Sequence, residues 1–122
     1  MKAIFAGYSK CGTKTMAEAL RIIGYNVYDF MENYEYLGDR WMKIFKEGGT
    51  KDDFYEMYKD VDAVTDAPAF MFWYEILEAF PNAKVCFILK VYEFFKSGLD
   101  YKIKFYFIYD YRAVWCIHIQ NV

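Results

Sequence analysis

The feature that most constrains this chain is a junction. A short apolar run, Lys2 to Ala6, breaks at Gly7 into GYSKCGTKT (Gly7–Thr15), and from about Lys14 the pattern turns helical. A glycine turn between a strand and a helix aims backbone N–H groups at one point, and the helix dipole adds partial positive charge there. That is an anion site by geometry, although any tight strand-to-helix turn has the same outline. The common ATP-binding form places its lysine directly after the second glycine of G-x4-G-K-[ST]. Here Gly7 and Gly12 keep that spacing but Thr13 intervenes, so Lys14 and Thr15 come one residue late. One residue at a helix start rotates a side chain by about 100°. Lys14 is thereby carried away from the place of a β/γ-phosphate lysine, and Lys10, inside the loop, is the better candidate to reach an anion.

The rest of the chain narrows the classes. Its 122 residues leave room for one domain with a modest core. With 57% hydrophobic and 26% charged residues it is expected to fold. A net charge of −2 argues against a nucleic-acid binder but leaves room for a small basic pocket. No run of 18 uncharged apolar residues appears, so no membrane span is expected, and the start is too short for a signal peptide. Cys11, Cys86 and Cys116 are odd in number and far apart, a set that reads as reduced thiols in a cytoplasmic protein.

Strand and helix patterns alternate, which predicts an α/β fold with a parallel sheet and crossover helices. Strands are expected at Lys2–Ala6, Tyr25–Phe30, Val61–Thr65 and Lys84–Leu89. The first helix presents Met16, Ala19, Leu20 and Ile23 and ends at Gly24. The second runs from Glu32 to Lys46 with Tyr36, Leu37, Trp41, Ile44 and Phe45 apolar. Thr50 with Asp53 reads as a capping box opening a third. Pro68 sits at the first turn of a helix through AFMFWYEILEAF, and a last helix is expected near Glu93–Leu99. After Asp100 the chain becomes an aromatic, β-prone tail that could be one or two strands or a poorly placed end.

Lys10-Cys11-Gly12-Thr13 resembles the [KR]-[ST]-G-T core of the sulfotransferase loop that holds the 5′-phosphosulfate of 3′-phosphoadenosine 5′-phosphosulfate (PAPS). The longer stretch GYSKCGTKTMAEALRIIGYNVYDF is similar to the opening of a P-loop sulfotransferase-like family. AVTDAPAFMFWYEILEAFPNAKVCFILK, Ala63 to Lys90, resembles that family's D-x-P block. The resemblance implies a three-layer P-loop-type α/β fold over residues 1–99, a sulfotransferase-like domain that reads as a truncated or divergent copy, followed by a divergent tail at 100–122.

It also implies a site. Lys10 and the N–H groups of Cys11, Gly12, Thr13 and Lys14, with Thr15, would hold the phosphosulfate and stabilise charge on the bridging oxygen as the sulfuryl group leaves. Lys90 stands where the family has a 3′-phosphate arginine, and Ser97 where it has a serine, one residue closer than the family spacing. A lysine there binds phosphate as a point charge without a bidentate fork, and Lys90 reads equally as a solvated strand end. Asp66, at a strand end, reads as an acceptor-activating base or a substrate-positioning carboxylate, or as a helix N-cap; capping and a site role can coexist. No metal is expected, because the leaving group carries its own stabilised charge; Lys90 in place of a magnesium-binding carboxylate fits this. His118, in the tail, is far from every motif. The function implied is transfer of a sulfuryl group from PAPS to a hydroxyl or amine of a small-molecule acceptor. A nucleoside-phosphate kinase or NTPase with a shifted loop, and a truncated non-catalytic nucleotide-binding remnant, stand as alternatives. The tail carries the signature of a self-associating segment.

Overall fold

The computed structural model describes residues 1–8, 11–88, 107–108 and 114–115. Lys10, Lys90, Ser97, His118 and the expected helix near 93–99 lie outside them.

Four parallel strands form the body of the sheet: β1 (Ala3–Gly7), β2 (Val27–Tyr28), β3 (Ala63–Thr65) and β4 (Lys84–Ile88). Their spatial order is β2-β3-β1-β4, so β1 is an interior strand. Its full length pairs with β4, from Ala3 opposite Lys84 to Gly7 opposite Ile88. Two short strands, β5 (Phe107–Ile108) and β6 (Val114–Trp115), continue the sheet antiparallel beyond β4, with β6 next to it.

The period-2 alternation of the strands divides the core in two. Ile4 and Ala6, with Val64 and Val85, face helices α2 (Phe30–Glu47), α3 (Lys51–Tyr58) and α4 (Trp73–Ala79). Phe5, with Ala63 and Cys86, faces the opposite way, against Ala17 of α1 (Thr13–Ile22). The fold is thus a three-layer α/β unit with helices on both faces of a mainly parallel sheet, as expected. The larger face is held by aromatic packing: the Trp41 ring lies 6.0 Å from Phe54 and 5.2 Å from Phe72, centroid to centroid.

Local chemistry sets the boundaries, and several differ from those the pattern suggests. The first helix buries Thr13 and Ala17 and half-buries Met16 and Leu20, whereas Ala19 and Ile23 are exposed. The expected stripe is rotated because the helix begins as soon as Gly12 turns the chain. Gly24, at φ 90°, ends it as expected. The second strand is cut to two residues because Asp29 caps α2: its side chain accepts from Met31 N–H while Glu32 accepts from Asp29 N–H. That reciprocal pair starts the helix at Phe30, ahead of the expected Glu32. The Thr50–Asp53 box opens α3 as expected. The stretch after Pro68 does not form one helix: a 3₁₀ turn, Ala69–Phe72, precedes α4. Cys86 is disulfide-bonded to a partner outside the described residues, against the expectation of three reduced thiols, and Cys11 is free. Spacing along a sequence does not fix which thiols the fold brings within bonding reach.

One buried polar hub sits inside the larger core. Asn33, fully buried on α2, accepts from Tyr58 Oη–H and from Trp41 Nε1–H at 3.3 Å, and donates to the Asp29 carbonyl at 2.7 Å. Every polar atom of the amide but one N–H is thereby engaged, and two helical positions and the α2 cap are tied to one side chain.

Candidate functional site

Chain connections leave β1 in both directions. Residues after α1 build β2 and β3 on one side, and the chain then crosses back to β4 on the other. Open α/β sheets bind ligands outside the carboxyl ends of the strands where this reversal occurs. Gly7, the last residue of β1, is at that point, and the loop to α1 leaves from it.

The end of the loop is shaped by two features. Cys11 N–H donates to the Tyr8 carbonyl at 3.2 Å, closing a turn. Gly12 then takes φ 92° and ψ 12°, a left-handed conformation that favours glycine, and starts α1. The first intrahelical bond runs from Met16 N–H to the Gly12 carbonyl at 3.0 Å. The N–H groups of Thr13, Lys14 and Thr15 therefore precede any intrahelical acceptor. Gly12 provides no side-chain cap, and the first turn of α1 carries no acidic residue. Lys14 and Thr15 are exposed, Cys11 and Gly12 are half-buried, and Thr13 is 2% exposed.

Asp66 follows β3 at the same edge of the sheet. Its φ of 64° is in the left-handed region, where Asp is among the few side chains found, since its carboxylate can bond locally. Oδ1 accepts from Ala67 N–H at 2.6 Å and Oδ2 accepts from Thr13 Oγ1–H at 2.9 Å. The Asp66 carbonyl accepts from Phe70 N–H at 3.0 Å. Asp66 does not act as the expected side-chain N-cap: the 3₁₀ turn is led by Pro68 and has no side-chain capping bond. The αL backbone directs the carboxylate to Ala67 and Thr13 instead of forward to the helix. Thr65, immediately before it, is fully buried and its hydroxyl has no hydrogen-bond partner. A dry strand position ordinarily holds an apolar side chain, because an unpaired hydroxyl costs about 1–3 kcal/mol.

On the exposed side, the Tyr8 ring meets Phe70 of the 3₁₀ turn at 5.0 Å. Tyr8 is 63% exposed, so loop and 3₁₀ turn together present an aromatic edge beside the loop. Trp73 packs in the core against Phe87, at 5.1 Å. A cleft between α2 and α3, lined by Arg40, Lys43, Asp52, Asp53 and Glu56, belongs to the outer helical layer. It includes the Lys43–Asp53 pair and lies on helices apart from the loop. Among the described residues no group of three His, Cys, Asp or Glu side chains is gathered to hold a metal ion. No described helix is long and apolar enough to cross a membrane.

Of the residues singled out in the sequence, Cys11, Gly12, Thr13, Lys14, Thr15 and Asp66 are brought to one edge of the sheet, and Lys10, Lys90 and Ser97 lie outside the described residues. Sequence reasoning found Asp66 through its place at a strand end. It missed the Thr13 hydroxyl as its partner, the unpartnered Thr65 hydroxyl and the Tyr8–Phe70 pair. Nothing in the spacing of Thr13 and Asp66, 53 positions apart, announces that they meet.

An interior parallel strand runs into a glycine-led helix at the topological switch of an α/β sheet. Residues 2–94 match the sulfotransferase domain family, and the chain belongs to that family. Compared with curated proteins, the chain matches none.

Proposed function

We propose that this chain binds PAPS at the Gly7–Thr15 loop and transfers its sulfuryl group to a hydroxyl or amine of a small-molecule acceptor. The observation that carries the reading is the junction at Gly12. An uncapped helix with no acidic first-turn residue starts at the carboxyl end of an interior strand. Membership of the sulfotransferase domain family supports the choice of ligand.

In the reaction, the bond between sulfur and the bridging oxygen breaks and a bond from sulfur to the acceptor oxygen or nitrogen forms. The acceptor's proton leaves to base or solvent, and 3′-phosphoadenosine 5′-phosphate is released. Charge grows on the bridging oxygen. Fixed N–H donors aimed where charge develops stabilise such a step without reorganisation. The N–H groups of Gly12, Thr13, Lys14 and Thr15 would supply these donors, with Lys10 as the counter-charge. Cys11 N–H closes a turn on Tyr8 and would join them only if the loop opens on binding. Lys90 and Ser97 would take the 3′-phosphate.

The test is calorimetric titration of the full chain with 3′-phosphoadenosine 5′-phosphate and, separately, with ATP–Mg. Saturable binding of the first and not the second is the expected result. Preference for ATP–Mg would move the chain to the kinase class, and binding of neither would leave the non-catalytic remnant.

A further inference from the structure

We infer that Thr13 and Asp66 form a latch that sets the aim of the anion loop, making Asp66 a positioning residue and not the acceptor-activating base. The inference rests on the anion-site reading of the Gly7–Thr15 loop.

The argument begins with what does not hold the start of α1. Its N-cap is a glycine, which has no side chain to accept from the first-turn N–H groups. The direction of those N–H groups is therefore not fixed by local capping. Thr13, the first helical residue, is held across the molecule instead, by its hydroxyl bond to Asp66 Oδ2 at 2.9 Å. The acceptor is itself immobilised. Asp66 sits at φ 64°, its other carboxylate oxygen accepts from Ala67 N–H at 2.6 Å, and its carbonyl accepts from Phe70 N–H. Thr13 is buried, so water does not compete freely for its hydroxyl. The latch joins two neighbouring strands' carboxyl ends: the helix that follows β1 and the turn that follows β3.

A base must offer a lone pair to the acceptor's proton. Each oxygen of Asp66 accepts one bond within the protein and keeps a further lone pair, but the carboxylate is held facing Ala67 and a threonine of the loop itself, the geometry of a positioning group. Its negative charge is a disadvantage beside an anion, and the hydrogen bond is a reason to keep a polar side chain there. Charge and hydrogen bond can be separated. An asparagine keeps the link, because its carbonyl can accept from Ala67 N–H while its NH2 donates to the Thr13 hydroxyl, which can also accept. An alanine breaks it.

The experiment measures 3′-phosphoadenosine 5′-phosphate affinity by calorimetry for the full chain and for Thr13→Val, Thr13→Ser, Asp66→Ala, Asp66→Asn and the Thr13→Val/Asp66→Ala pair. Thr13→Val and Asp66→Ala are each expected to weaken binding about fivefold to tenfold, the worth of one hydrogen bond. The double variant should be no weaker than either single, the mark of a shared interaction. Thr13→Ser and Asp66→Asn should restore affinity. Additive losses, or unchanged affinity in Thr13→Val, overturn the latch. Loss of sulfuryl transfer in Asp66→Asn with affinity intact assigns Asp66 as the base and also overturns it. If the parent chain binds no 3′-phosphoadenosine 5′-phosphate, the ligand reading has failed and the latch is judged on the ligand-free protein. There, the Met16 amide, the first to bond within α1, should exchange with solvent faster in Thr13→Val and no faster still in the double variant. Unchanged exchange in both overturns the latch.

Discussion

Gly12, Lys10 and Tyr58 each act at a single position, by three different physical causes. Gly12 starts α1 at φ 92°, and a Cβ there would meet no neighbour within 4 Å among the described residues, so backbone conformation more than space disfavours other residues. Gly12→Ala is expected to cost roughly 1 kcal/mol of stability, read from the shift in the urea midpoint. Among the lysines of the loop, Lys10 lies between the two glycines and Lys14 on the exposed first turn of α1. Lys10→Ala should weaken 3′-phosphoadenosine 5′-phosphate binding by roughly 1.5–3 kcal/mol, the worth of a charge-assisted contact, and Lys14→Ala by much less. An equal or larger loss at Lys14 in the same titration would favour the kinase reading. Tyr58 is a third case. Burial pushes its phenol above the ordinary value of 10.0. Above that pH the unfolded chain releases the phenolic proton while the folded chain retains it, so the native state binds more protons. Stability is then intact below about pH 10 and falls as the pH climbs further. Denaturant midpoints measured from about pH 8 to pH 11 should decline at the alkaline end, and less steeply in Tyr58→Phe.

At the scale of elements, α2 carries the most structure. Its N-terminus is fixed by the Asp29–Glu32 box, and Arg21 at the end of α1 reaches the same place, 2.9 Å from Glu32 and 3.2 Å from the Val27 carbonyl. Its buried face is not wholly apolar: Asn33 stands among Leu37, Trp41 and Ile44. The amide ties α2 to α3 through Tyr58 and also satisfies Trp41 within α2. Asn33→Leu keeps the approximate volume but orphans a phenol, an indole N–H and a carbonyl. At about 1–3 kcal/mol for each unmet buried group, less what relaxation recovers, the loss should be about 3 kcal/mol. Equilibrium urea unfolding would measure it, and a loss below about 1 kcal/mol would mean the three groups find water instead.

For the whole molecule, the far edge of the sheet is built from two short strands. β6 pairs with β4 through Phe87 opposite Trp115 and Ile88 opposite Val114, and β5 pairs with β6. Two-residue strands contribute few ladder bonds, whereas β1, β3 and β4 carry both cores. Cutting the chain after Leu99, compared with the full chain carrying Cys86→Ser so that loss of the Cys86 disulfide is not what is read, is therefore expected to leave residues 1–88 folded, with 3′-phosphoadenosine 5′-phosphate binding retained and self-association reduced. Light scattering with size-exclusion chromatography, far-UV circular dichroism and the same titration would check this. Unfolding on truncation would make the tail an integral part of the sheet.

The sequence by itself determined the class: alternating strand and helix patterns, the glycine-led loop after the first strand, the Thr50–Asp53 box and the Gly24 stop are all local. Such signals are written in spacing and in backbone preferences that act within a few residues. What only the tertiary structure decided involves partners distant in the chain. The order β2-β3-β1-β4 put β1 inside the sheet and its loop at the switch. Packing, not periodicity, chose the buried stripe of α1 and placed Asn33 in the core. The pairing of Thr13 with Asp66 also comes from the fold. A hydrogen bond between side chains 53 residues apart exists only once β1 and β3 lie side by side.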